Sequence, residues 1–169
     1  MSEQPFSHLD SAGHARMVDV TDKTPSTRQA SATGFVRCGV HVIAALRTGT
    51  VPKGDVLAVA RIAGIQGAKQ TANLLPLAHV IGVHAAAVEF DVQDDGVRID
   101  ATVRAADRTG VEMEAMIAVA VAALALVDMV KGIDRTVEIE GIKITAKSGG
   151  RSGSWERPAP ATAVDEEES

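Results

Sequence analysis

The 169-residue sequence predicts an α+β fold of the ferredoxin-like, split βαβ kind, an antiparallel sheet with helices on one face. Three observations predict it. Residues 88–103 carry a hairpin signal, residues 115–127 form a charge-free helical run, and the periodicities read strand, helix pair, strand, strand, helix, strand.

Residues 28–37 alternate, with Ala30, Ala32, Gly34 and Val36 on one face, as a half-buried strand does. Residues 40–48 read as a short helix with Val42, Ile43 and Leu46 inward and Gly49 ending it. Residues 55–70 read as a second helix with Asp55 as its N-cap. Gly64 and Gly67 weaken that helix, which suits a close backbone contact. Val88, Phe90 and Val92, then Val97, Ile99, Ala101 and Val103, alternate with polar residues around Asp95-Gly96, the hairpin signal. The long helix is expected at 111–132. A last strand holds Val137, Ile139, Ile142 and Ile144, and its phase slips at Gly141, as a bulge requires.

Three Phe, one Trp and no Tyr leave the core to Ala, Val, Ile and Leu. A single cysteine, Cys38, excludes an internal disulfide, and the five histidines show no metal-protease spacing, so no metal site is expected. The longest apolar run, 13 residues, is too short to span a bilayer, and the polar N-terminus carries no signal core. A cytoplasmic protein without membrane contact is the expectation. Net charge of −5 disfavours nucleic acid, and an RNA-binding sheet would need stacking aromatics that this chain lacks. Residues 1–16 read as a loose N-terminal segment, 17–154 as a single catalytic domain, and 155–169 as a disordered acidic tail.

Four segments carry candidate chemistry. Glu112 and Glu114 open the long helix, where the macrodipole favours anions; stabilising that end is one reading and ligand binding the other. Asp128 stands near the C-terminus, where the same dipole disfavours it, with Lys131 three residues on as a surface partner or an acid/base companion. Lys53 precedes a helix start, either as a solvated loop lysine or as a proton-transfer group. Pro76 and His79 mark a turn between helix and strand. The run from Lys147 to Gly153 is rich in Gly, Lys and Arg, either an exit linker or a phosphate cradle, without Walker A spacing. Glu114 and Asp128 share a helix face but lie about 21 Å apart along it, so a site using both requires two antiparallel copies of the helix.

Taken in order, these segments resemble the cyclic pyranopterin monophosphate synthase family, MoaC, of molybdenum cofactor biosynthesis. The resemblance rests on Met17-Val18-Asp19-Val20, Lys53-Gly54-Asp55, the run from Ala60 to Ile65, Leu75-Pro76-Leu77 with His79, the run from Thr109 to Ala115, Asp128-Met129 with Lys131, and the run from Lys147 to Gly150. It implies a homo-hexamer of three dimers with the active site at a dimer interface. It implies a lyase that converts 3′,8-cyclo-7,8-dihydroguanosine triphosphate, made from GTP by a partner radical enzyme, into cyclic pyranopterin monophosphate and diphosphate. It implies Asp128, Lys53 and Lys131 as catalytic residues. Leu77, Ala78, His79, Glu112, Met113 and Glu114 would bind substrate, and Lys23, Arg28 and Lys147 would hold the triphosphate. No resident cofactor is expected, with Mg²⁺ on the triphosphate as the one addition the chemistry allows. Val127 stands where the family often has an aromatic and Ala72 where a bulky residue is common, and two further positions depart from the family pattern, Ala78 for the usual Cys and Val80 for the usual Pro. They motivate an alternative, a non-catalytic paralogue that binds the nucleotide or serves assembly.

Overall fold

The structure, a computed structural model, describes residue 9 and residues 12–159. Its elements run β1 (Ser26–Arg37), α1 (Val40–Thr48), α2 (Val56–Lys69), α3 (Thr71–Leu74), β2 (Ala85–Val92), β3 (Gly96–Asp107), α4 (Glu112–Val130), β4 (Glu138–Ser148) and β5 (Trp155–Glu156). One antiparallel sheet has the order β2-β3-β1-β4-β5. Its first four strands are the split βαβ order, with α2 and α4 packed against one face.

Alternation in β1 buries Ala30, Ala32 and Val36 against the helices, paired with Val103, Ala101 and Val97 of β3. The core is aliphatic, and α4 contributes Ala115, Ala118, Val119, Ala122, Ala123, Leu126 and Val130. Small residues let the helices approach closely. A Cβ at Gly64 would sit 2.7 Å from the Ala118 carbonyl oxygen, and one at Gly67 2.8 Å from the Val121 side chain. The two glycines that weaken α2 are therefore what seats it on α4. Gly64→Ala is expected to destabilise the protein by about 1–3 kcal/mol despite the better helix propensity of alanine, read as a lower unfolding temperature.

Several elements start or end where the periodicity puts them. Asp55 caps α2, its Oδ1 accepting from the Ala58 amide at 3.0 Å. Gly49 ends α1 in the left-handed region at φ 67°. Gly141 is left-handed at φ 59°, and the β1–β4 register shifts beside it. Elsewhere the structure corrects the sequence. The hairpin turns on Asp94 and Asp95, the Gln93 amide donating to the Gly96 carbonyl at 2.9 Å. Gly96 instead opens β3, where any Cβ would strike the Phe35 ring. A second bulge interrupts β4 at Thr145. The helix α3 was absent from the periodicity because a single turn is too short to show one. Trp155 and Glu156, assigned by composition to the tail, form strand β5 on the outer edge of β4. The rest of that tail, from 160 on, lies outside the described residues, as do residues 1–8, 10 and 11 of the N-terminal segment.

The helix α4 is also less buried than its composition suggests. By length and hydropathy it could cross a membrane, yet its inner face packs on α2 and the sheet. Its outer face leaves Leu124 60% exposed, and α2 beside it leaves Ile62 69% exposed.

Candidate active site

The two ends of α4 organise two clusters. At the C-terminal end, Lys131 Nζ lies 2.7 Å from Asp128 Oδ1, and Lys53 Nζ lies 3.0 Å from Oδ2. Lys53 also donates to the Asp128 carbonyl at 2.7 Å, which belongs to the last turn and needs a partner from outside the helix. The loop before α2 thus delivers its lysine to the negative end of α4, where a cation is favoured. The two ammonium groups hold the Asp128 carboxyl down at about 2, Lys131 contributing most. All three side chains are exposed.

At the N-terminal end, a cavity of about 1010 Å³ opens between α4, β1, the 19–24 loop and the glycine-rich stretch after β4. Lys23, Arg28, Arg108, Lys147 and Arg151 line it, against Asp19, Asp22 and Glu112. The excess of cations is local, in a chain that is acidic overall. Each wall is fixed by the backbone. Asp19 Oδ1 accepts from the Thr21 amide at 2.8 Å, the Lys23 amide donates to the Val20 carbonyl at 3.0 Å, and Arg108 Nε donates to the Lys23 carbonyl at 3.0 Å. Arg28 Nε donates to the Asp107 carbonyl at 3.2 Å. Gly149 and Gly150 adopt φ of 95° and 72°, and a Cβ at Gly150 would collide with the Arg28 guanidinium. Lys147 reaches across to Glu112 at 3.1 Å. A polyanion entering the cavity would compete with Glu112 for that lysine.

Glu114, two residues after the cavity-lining Glu112, is only 3% exposed. Burial raises its carboxyl above the ordinary glutamate value, the neighbouring Glu112 and Asp107 add to the rise, and His79 opposes it. His79 is itself anchored, Nε2 lying 2.7 Å from the Val18 carbonyl, so the 77–79 segment and the 17–20 segment are tied together. Leu77 and Met113 are exposed and Ala78 is half-buried.

The sign of the Glu114 shift gives a stability prediction. A carboxyl whose folded value is raised loses stability as pH climbs through the unfolded value toward the folded one, and the loss persists above. Glu114→Gln is therefore expected to raise the unfolding temperature at pH 7 by roughly 2–4 °C, with the gain vanishing below about pH 4. An equal gain at both pH values would mean that packing, not charge, is responsible.

Of the residues expected from sequence, Asp128, Lys53 and Lys131 come together, as do Lys23, Arg28, Lys147 and Glu112. One chain does not join the two groups, since they occupy opposite ends of a 19-residue helix. Sequence reasoning missed Arg108, whose only signal was its place directly before the Thr109–Ala115 run, and it left Asp19 and Asp22 without a role at the site; Arg151 stands in the Lys147–Gly153 run read as an exit linker or a phosphate cradle. Among the described residues no group of three His, Cys, Asp or Glu side chains is placed to hold a metal.

The fold and the two clusters define a ferredoxin-like α+β protein with a lysine–aspartate–lysine cluster at one end of α4 and a separate cation-lined cavity at the other. The sequence profile of the MoaC family matches residues 17–150. The chain belongs to that family. It is 52% identical over 155 residues to a cyclic pyranopterin monophosphate synthase of Chloroflexus aurantiacus, covering 90% of this chain and 95% of the relative. A synthase of the same name from Streptomyces griseus is 52% identical over 159 residues, 94% and 90% of the two chains. One from Nostoc sp. is 50% identical over 157 residues, 92% and 94%.

Proposed function

We propose that this protein is a lyase of molybdenum cofactor biosynthesis. It converts 3′,8-cyclo-7,8-dihydroguanosine triphosphate to cyclic pyranopterin monophosphate with release of diphosphate. The observation that carries the reading is the Asp128 carboxylate held between two lysines at 2.7 and 3.0 Å in a chain that is about half identical to synthases of that name. The substrate follows from GTP by a radical enzyme, which is the functional partner.

The reaction needs proton transfers on the pterin precursor and attack of a ribose-derived hydroxyl on the α-phosphorus, with diphosphate leaving. Lys53 and Lys131 carry the protons, and Asp128 fixes both ammonium groups relative to one another. The cavity cations Lys23, Arg28 and Lys147 neutralise the triphosphate, aided by Arg108 and Arg151. Glu114, with Glu112, Met113 and the 77–79 segment, binds the guanine-derived ring. No resident cofactor is required, and Mg²⁺ accompanies the triphosphate only as part of the substrate.

These roles need two chains. The two clusters stand about 21 Å apart along α4, and the helix layer exposes apolar side chains, Ile62 and Leu124 foremost. A second copy laid antiparallel along α4 covers that surface and brings Glu114 of one chain toward Asp128 and Lys131 of the other. Three such dimers form the hexamer, in the cytoplasm.

Turnover of the purified cyclised GTP derivative, followed by diphosphate release and by the pterin product, tests the reading. Binding without product would favour the non-catalytic alternative. In the same assay Lys131→Ala is expected to lower kcat by about 10²-fold or more. Near-normal turnover of that variant would remove Lys131 from the mechanism.

A further inference from the structure

The bulge at Thr145 decides where Lys147 points. In the β1–β4 ladder Ala32 pairs with Ile144, but Ser31 pairs with Ala146 and Ala30 with Lys147. One residue of β4, Thr145, is skipped. Without the skip, Ala146 would face Ala30 and Lys147 would face Gln29, because side chains alternate with a period of two. Ala30 is buried under the helices, whereas Gln29 pairs beside Arg104 and bonds it on the open face of the sheet. The bulge therefore carries Lys147 from the open face to the helix face, where it meets Glu112 and lines the anion cavity.

The far side of the bulge is held by the chain that follows the glycine-rich loop. Strand β5 pairs Glu156 with Ala146 and Trp155 with Lys147. Beyond it, the Arg157 amide donates to the Thr145 carbonyl at 2.8 Å, and Arg157 Nε donates to the Ile144 carbonyl at 2.6 Å. The Arg157 guanidinium lies 5.5 Å over the Trp155 ring, which fixes its direction. One residue thus satisfies two consecutive carbonyls at the point where the ladder is broken. This segment lies past the end of the family match at 150.

We propose that β5 and Arg157 form a clamp that holds the β4 bulge and so aims Lys147 into the anion cavity, making Arg157 a positioning residue for polyphosphate binding. The clamp rests on the reading of that cavity as the triphosphate site. It acts through Lys147 and touches no substrate. Its loss should weaken binding of the polyphosphate and spare the proton-transfer centre at the other end of α4.

The test is a double-mutant cycle on the full-length enzyme. Arg157→Ala keeps the backbone pairing of β5 and removes the Nε bond and the ring contact. It is made with Lys147 intact and with Lys147→Ala. Binding of inorganic triphosphate is measured by calorimetry, and KM and kcat by product formation. With Lys147 intact, Arg157→Ala is expected to raise Kd and KM about tenfold and leave kcat within about twofold. In the Lys147→Ala background the further change should be less than about twofold, because the two residues act as one. Arg157→Lys, which keeps the charge and loses the Nε donor, should behave like Arg157→Ala. An equal effect in both backgrounds, no effect with Lys147 intact, or rescue by lysine would each overturn the clamp. An enzyme that binds triphosphate without turnover would instead overturn the functional reading, and the calorimetric cycle would still decide the clamp.

Discussion

Asp128→Ala is expected to lower kcat by about 10³-fold, with the unfolding temperature within about 2 °C of the starting protein. The loss should be large because one carboxylate organises two lysines. Its Oδ1 holds Lys131 and its Oδ2 holds Lys53, so removing it frees two long side chains and leaves two ammonium groups facing each other. The stability effect should be small because all three side chains are exposed and screened by water. Asp128→Asn keeps the shape, drops the charge, and should fall nearly as far. A variant with full turnover would show that the lysines need no common anchor. Since the Asp128 carboxyl titrates near 2, its ionisation persists through the whole working pH range. The stability it adds is present above the unfolded value and is lost only as pH falls through about 2. An acid limb in kcat at higher pH would have to come from another group, and the buried Glu114 is raised in the required direction.

The second large effect is complementation. Glu114→Ala and Lys131→Ala are each expected to be inactive alone, since every site in a symmetric dimer then lacks one partner. Mixed and reassembled, half of the dimers should be hybrids, and each hybrid holds one intact site and one doubly altered site. About a quarter of the starting activity should return if the site is shared between chains. No recovery after verified subunit exchange would place both residues in one chain's site, against their separation of about 25 Å along α4. This outcome would also rule out the antiparallel contact along α4.

The elements were legible because their cues are local. Alternation in 28–37, the Asp55 cap and the terminal Gly49 each depend on residues within one or two turns of chain, and each stands where it was expected. Gly141 was legible for the same reason, since an extra residue shifts the phase of the alternation. Gly96 misled because a glycine beside an aspartate signals a turn, whereas this glycine is small for the sake of the Phe35 ring on the neighbouring strand. The bulge at Thr145 gave no signal, because Thr145, Ala146 and Lys147 fit either phase until β5 pairs on the far edge. Composition misplaced Trp155 and Glu156 in the same way. A two-residue strand has no period of its own and exists only through the partner that β4 offers.

The candidate site divides along the same line. Asp128 and Lys131 lie three residues apart on one helix, so sequence alone put them in contact. Lys53 stood out alone as a lysine before a helix start, and the MoaC resemblance joined it to Asp128 and added Lys23 and Arg28, which no local spacing connects to their partners. Only the tertiary structure brought Lys53 across 75 positions to Asp128, and Arg108 across 85 positions to the loop that carries Lys23. It alone showed that α4 is apolar on two faces for different reasons, one buried in the core and one left open at Leu124. Sequence determined which segments fold and which chemistry they carry, because propensity, caps and periodicity act over a few residues. Which charges meet, and which side of the sheet Lys147 serves, was decided by strand register and helix packing, which depend on partners far away in the chain.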